Sequence, residues 1–509
     1  MSPTDTDDFK ARFAQVQARL APLFERVFPD PQEPRSVVVV PSLSFDPQEL
    51  AKIDGVEHYE ERLLCMLMLL RMPRTHLVYV TSQPIDPSTI DYFLHLLPGI
   101  PSRHARSRLT LFSTLDSSAV PLTRKLLDRP QLVERIRQAL PHPDRGHITC
   151  FNATALEREL AVRLDMPLYA ADPELVDFGF KSGGRKVFRA AGVPLPDGYE
   201  DLRDVQDIVT ALTELKRRHP DLRRAVVKLD DGFSGEGNAL FKFEGAPTGG
   251  ALEGWVRDEL PQRIRFEAKG ETWERYAAKY AEMQGIVECF VEGKPKLSPS
   301  VQCRIDPLGR PEIISTHDQV LGGPSGQVFL GCTFPADEAY RIEIQKLGEA
   351  VARELSTRGV IGRFGVDFIS CQDADSAWHH HAIEINLRKG GTTHPYMMLQ
   401  YLTDGDFDPS TGLYRAPSGQ PRFYYASDNL ISEDYRGLAP EDLIDISVCR
   451  DLHFHGATQE GVVFHLVGAL SEFGKLGAVC IGPSPERARA LFTETVDVLD
   501  QEARARHTW

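Results

Sequence analysis

The sequence predicts a multidomain chain, α/β in its first third and α+β beyond. Three observations carry that reading. Between residues 36 and 151 short apolar runs alternate with amphipathic stretches, the pattern of a doubly wound parallel sheet. From 224 to 243, and again from 359 to 388, apolar runs meet across glycine-rich or polar turns, as antiparallel hairpins do. A length of 509 residues suggests three or four domains on the usual scale of about 100–200 residues each.

Composition narrows the class. With 42% hydrophobic and 26% charged residues the chain is ordinarily globular. A net charge of −15 argues against a nucleic-acid partner. Eight cysteines without a C-x-x-C pair argue against a zinc ribbon or a disulfide scaffold. The start, MSPTDTDDFK, has no apolar signal region. The most apolar run, Leu63 to Leu70, falls far short of the ~20 residues that span a bilayer. A soluble, cytoplasmic protein with no membrane partner is expected.

In chain order, residues 8–28 carry apolar positions at helical spacing and end in the breaker PDPQEP. Strands follow at 36–41, 76–81, 109–113 and 148–151, with helices near 57–71, 87–97 and 121–127. The loop after the first strand, 42–46, lacks glycine, so a dinucleotide fingerprint is absent and no role is assigned to it. From 179, Gly-Phe-Lys181-Ser-Gly-Gly-Arg185-Lys186 leads into a helix that ends at Gly192-Val193-Pro194, a glycine stop with proline beyond. A helix near 205–217, a strand at 224–229, the loop Asp230–Asn238 and a strand at 239–243 come next. The tip of that loop, with Gly232, Ser234, Gly235 and Gly237, either wraps its amides around phosphates beside Lys228 or is a flexible turn. Past a helix near 273–282, the run 285–293 holds Glu288, Cys289, Phe290 and Val291. It reads as a core strand or as an edge that receives an adenine ring. Strand 299–305 turns Ser300, Gln302 and Arg304 toward a cleft or toward water. A glycine-rich connection at 315–326 with His317, together with Arg304, is the sequence's best guess at a substrate end, ahead of a helix at 336–358.

The chain turns on 381–388. Strand alternation puts Glu384, Asn386 and Arg388 on one face and Ile383, Ile385 and Leu387 on the other. Asp367, on a strand expected to pair with this one across residues 371–379, faces Glu384. Two facing carboxylates repel unless protonated or bridged by a cation, and hard oxygens at this spacing suit Mg²⁺. A solvated polar face is the plainer alternative. His379-His380-His381 offers no third ligand and reads as a hairpin flank. Gly390–Pro395 opens a helix near 396–402 whose start suits an anion. Residues 405–509 form a smaller α+β piece, in which His453 and His455 read as structural.

Taken in this order, the pieces resemble the ATP-grasp superfamily, and within it the pheganomycin-type peptide ligases with their pre-ATP-grasp domain. The likeness spans about 36–500. It rests on Lys181…Ala-Gly192-Val-Pro194, on Val227-Lys228 with its glycine loop, on Val287-Glu288-Cys289-Phe290-Val291, and on Gly365-Val-Asp367-Phe…Glu384-Ile-Asn386-Leu-Arg388. The resemblance implies an ATP-grasp fold after a Rossmann-like domain. It divides the chain into a lead-in helix and linker (1–35), a pre-ATP-grasp domain (36–178), an ATP-grasp domain (179–404, with a lid at about 192–290) and a C-terminal domain (405–509). It further implies ATP and Mg²⁺ as cofactors. Lys181 or Lys186, together with Lys228, would contact the phosphates under the lid loop. Glu288 to Val291 would take the adenine, Asp367, Glu384 and Asn386 the metal, and Arg388 the migrating phosphoryl group, with Arg304 toward the substrate. The implied activity is ligation of a small-molecule or peptide carboxylate to an amine through an acyl phosphate. Alternatives are a non-catalytic nucleotide-binding module and a small-molecule kinase. Neither the identity of the two substrates nor the oligomeric state is legible.

Overall fold

A computed structural model describes residues 3–231, 237–322, 328–373 and 375–506. The first sheet joins β1 (Arg35–Val40), β2 (Thr75–Thr81), β3 (Leu109–Ser113) and β4 (Gly146–Cys150), all parallel, in the order β3-β2-β1-β4. Val37, Val38, Val39 and Val40 are fully buried because helices cover both faces, the usual setting of a parallel sheet. Val37 and Val39 pack with Leu63 and Leu67, whereas Val38 and Val40 pack with Leu122 and Leu126. The expected helix near 57–71 is wound as a 3₁₀ helix over Val56–Arg71.

The second sheet is antiparallel and has five strands: β5 (Gly198–Leu202), β6 (Arg224–Leu229), β7 (Asn238–Lys242), β8 (Arg265–Phe266) and β9 (Gly285–Cys289), in the order β5-β9-β6-β7-β8. Its core draws Ile208, Leu212, Val256, Leu260, Tyr276 and Tyr280 from the helices Val205–Arg218, Leu252–Arg263 and Trp273–Met283.

The third sheet has eleven strands. It begins with β10 (Lys296–Leu297), β11 (Pro299–Ile305), β12 (Pro311–Gly322), β13 (Val328–Phe334), β14 (Gly362–Gln372) and β15 (Trp378–Asn386). It continues through β16 (Asp406–Asp408), β17 (Leu413–Arg415), β18 (Pro421–Ile431), β19 (Gly461–His465) and β20 (Lys475–Gly482). The strands after residue 405 therefore do not form a sheet of their own: β18 pairs with β13 on one side and β20 on the other. The segment expected as a connection at 315–326 is mostly strand β12, and its remainder lies outside the described residues. Among the described residues no helix is long and apolar enough to cross a membrane.

Candidate active site

A cleft of about 1240 Å³ is lined by residues of the second and third sheets and of the segments that follow β1 and β4 of the first. Its acidic floor is the β14–β15 hairpin. Antiparallel pairing sets Asp367 opposite Glu384 and Gly365 opposite Asn386. The register shifts between Asp367 and Phe368, so that Phe368 pairs with Ala382 and Ile383 becomes the extra residue of a bulge. That corrects the simple alternation: Ala382 and Ile385 enter the core, but Ile383 lines the cleft beside Glu384. The Asn386 amide donates to Asp367 Oδ2 at 2.8 Å. Burial pushes the Asp367 carboxyl up to about 7, and the Glu384 charge adds to the rise. Lys181, buried at the start of the helix Lys181–Ala190, reaches Glu384 Oε1 at 3.5 Å. Arg388 lies just past the end of β15, over the Phe45 ring at 5.4 Å.

Such a floor fits a hard divalent cation. Two carboxylates face each other, one of them held near half-protonation at neutrality by burial and by the other's charge, and the Asn386 amide stands beside them.

The second cluster sits on the five-stranded sheet. Glu288, on β9, is almost fully buried and takes Lys228 Nζ at 2.5 Å on one oxygen and Arg185 at 2.9 Å on the other. Lys228 and Glu288 both line the cleft wall, whereas Arg185 does not and is shared with Glu200 at 3.3 Å. Lys186 goes elsewhere. It is half exposed and pairs with Asp201 at 2.7 Å, on the solvent side of the helix that buries Lys181.

Beyond β9 the Phe290 ring is clamped between Arg224 at 3.8 Å and Lys296 at 3.9 Å. Phe290 and Val291 line the cleft, as does Cys289. Yet β9 is an inner strand, not an edge. The Cys289 amide donates to the Asp197 carbonyl at 2.7 Å and the Phe290 amide to Arg224 at 3.2 Å. Gly237 is described, its carbonyl accepting from the Tyr276 hydroxyl at 2.9 Å. Gly232, Ser234 and Gly235 lie outside the described residues.

Two expectations at the substrate end are corrected. Arg304 pairs with Glu312 and is not among the cleft-lining residues, because β11 carries it further along the strand than Ser300 and Gln302, which do line it. His317 is fully buried against the Tyr424 hydroxyl at 2.6 Å, and burial holds its imidazole down at about 3. The three neighbouring histidines diverge: His379 bonds Asp373 at 2.8 Å and His380 bonds Ser370 at 2.6 Å.

In their place the cleft is closed by residues the sequence did not single out. Phe45 and Arg62 come from the first sheet's loops and helices, Asp428 and Lys475 from the C-terminal strands. Arg62 bonds Asp428 at 3.2 Å and stacks on Tyr59 at 4.5 Å and Phe151 at 4.9 Å. Lys475 donates to the Tyr59 hydroxyl at 2.6 Å. Partners 366 and 416 residues apart leave no local spacing to read.

Comparison with known proteins accords with this arrangement. The family described as "IQCH-like, ATP-grasp" matches residues 173–245 and 260–410, and the "PGM1 C-terminal domain" family matches 442–495. L-propargylglycine–L-glutamate ligase of Streptantibioticus cattleyicolor is 32% identical over 460 residues, which cover 89% of this chain and 91% of the relative. Two solved structures share the fold at 12% identity. A biotin carboxylase from Campylobacter jejuni in complex with β,γ-ATP has a TM-score of 0.54 and covers 93% of this chain and 96% of its own. The biotin carboxylase domain of 2-oxoglutarate carboxylase from Hydrogenobacter thermophilus, solved with MgADP, has a TM-score of 0.51 and covers 88% and 86%. The sequence match to a ligase over 89% of the chain, with the ATP-grasp family match across its middle, places this chain in the ATP-grasp superfamily as an ATP-dependent ligase that forms C–N bonds.

Proposed function

We propose that the chain joins an amino acid or peptide carboxylate to the amine of a second amino acid through an acyl phosphate, releasing ADP and phosphate. The observation that carries this is the facing pair Asp367 and Glu384 with Asn386, set in the same cleft as Lys228 and Arg388. The relative's name pairs two amino acids, and its length is matched almost throughout, which supports substrates of that class here.

In this reading Asp367, Glu384 and Asn386 hold Mg²⁺, which when bound neutralises charge on the nucleotide phosphates. Lys228, oriented by Glu288, and Lys181, oriented by Glu384, contact those phosphates. Phe290 and Val291 form the purine wall. Arg388 faces the migrating phosphoryl group and offsets the charge that spreads over its oxygens. The carboxylate attacks the terminal phosphorus and ADP leaves. The amine then attacks the acyl carbon, loses a proton and expels phosphate, giving the amide. The 179–404 segment is the ATP-binding unit, with 192–290 as its lid excluding water from the acyl phosphate. The 36–178 and 405–509 segments supply the substrate end. All eight cysteines are free, which suits the reducing cytoplasm as its seat.

The test is ADP release with Mg²⁺ across pools of amino acids, followed by mass spectrometry. ADP release that demands an amine and yields a mass equal to acid plus amine minus water is expected. A stable phosphorylated product formed without an amine would make the protein a kinase instead.

A further inference from the structure

Away from the acidic floor, three side chains from three elements converge. His394 is in the first turn of the helix Thr393–Thr403, and His465 ends β19. Asp428 sits where the pairing of β18 with β20 shifts register between Ser427 and Leu430, a bulge that re-aims its side chain. The two imidazole Nε2 atoms are 3.0 Å apart. His394 Nε2 lies 3.0 Å, and His465 Nε2 2.7 Å, from the same oxygen, Asp428 Oδ1. Both rings are 2% exposed.

With Asp428 ionised, no placement of protons on the two Nε2 atoms satisfies every edge of this triangle. With both Nε2 atoms protonated, two donors confront each other across the N–N edge. With one protonated, a lone pair faces the carboxylate. With neither, three lone pairs meet. The ring Nδ1 atoms are buried without a protein partner in every case, so they favour no arrangement. A cation satisfies all three edges at once. Ligands about 2.0–2.1 Å from a metal stand about 2.9 Å apart at right angles and about 3.3 Å apart in a tetrahedron, so the three edges need open by only about 0.3–0.6 Å to take a tetrahedral ion. Space is built for the ring as well: opposite His465 in the ladder is Gly477, where a Cβ would fall 2.1 Å from His465 Nε2.

We propose that His394, Asp428 and His465 bind a divalent first-row transition ion, Zn²⁺ being the best match to two imidazoles and a carboxylate. It is distinct from the Mg²⁺ of the acidic floor. Imidazole ligands select such ions over Mg²⁺. Asp428 also lines the cleft and holds Arg62 through its other oxygen, so the ion would fix the substrate end of the cleft from behind. The proposal does not rest on the ligase reading.

The experiment uses the full chain, stripped with chelator and titrated with Zn²⁺ or Co²⁺ in excess Mg²⁺, which occupies the oxygen site. One equivalent of Zn²⁺ by elemental analysis is expected, along with visible Co²⁺ absorption showing nitrogen ligation. His465→Gln and Asp428→Asn should weaken binding by about 10²-fold or more. His394→Asn should act likewise, and Glu384→Gln should leave binding intact. Substoichiometric Zn²⁺ with no Co²⁺ band in the folded wild type would overturn the proposal, as would binding that survives in a folded His465→Gln variant.

Discussion

The two ends of the cleft are built in opposite ways. At the end proposed to take the nucleotide each cluster comes from neighbouring strands: Asp367, Glu384 and Asn386 from one hairpin, Lys228 and Glu288 from paired strands of one sheet. At the far end Arg62 reaches Asp428, and Tyr59 reaches Lys475, only because the helix Val56–Arg71 folds onto the paired strands β18 and β20. Chemistry shared by a whole superfamily can be written into a hairpin. In the proposed reading, selection of one substrate is left to contacts between distant parts, which change without disturbing that hairpin.

The largest expected break in this comparison is at the hairpin. Glu384→Ala should lower Mg²⁺-dependent ADP release by about 10³-fold or more, and full activity in that variant would remove the acidic floor from the chemistry. Next is the cleft wall. Lys228→Ala leaves Glu288 with Arg185 alone, and removing one partner of a buried charge cluster costs about 3–5 kcal/mol. Both ATP affinity and melting temperature should fall; unchanged ATP affinity in a folded variant would count against the phosphate role. At the far end, Arg62→Ala should raise KM for an amino acid substrate by about tenfold, or ~1.4 kcal/mol, while KM for ATP holds. A rise in the ATP constant would erase the division between the ends.

The pH dependence sharpens the same contrast. The Asp367 carboxyl lies at about 7 in the fold against 3.8 ordinarily. A raised carboxyl favours the fold while protonated, and that advantage fades as pH climbs from about 4 through about 7. The Mg²⁺-free wild type should therefore lose stability over that window relative to Asp367→Asn, in chemical denaturation. Because a proton competes with the cation, Mg²⁺ affinity should drop below pH about 7. The smallest effect is expected at Lys186→Ala, within about 0.5 kcal/mol in stability and near wild-type turnover, since its partner Asp201 is a surface group.

The same contrast decides what could be read in advance. The hairpin was legible because alternation and pairing act over a score of residues, and Asp367 does face Glu384. The bulge that turns Ile383 into the cleft was not, since one inserted residue leaves no mark in an apolar run. Lys181 and Lys186 looked interchangeable on one helix. Only the position of Glu384 buries the first, and only Asp201 draws the second outward. Arg304 and His317 misled because strand parity names a face and not how far along it a residue lies. Arg62, Asp428 and Lys475 carried no spacing signal at all.

The union of β13 with β18 has a practical result. A truncated chain halted at residue 404 would bare the hydrogen-bonding flank of β13 from Gly331 to Phe334 and strip Arg62 of its carboxylate. Naked strand flanks recruit other strands. Such a fragment should aggregate rather than behave as a minimal nucleotide-binding core.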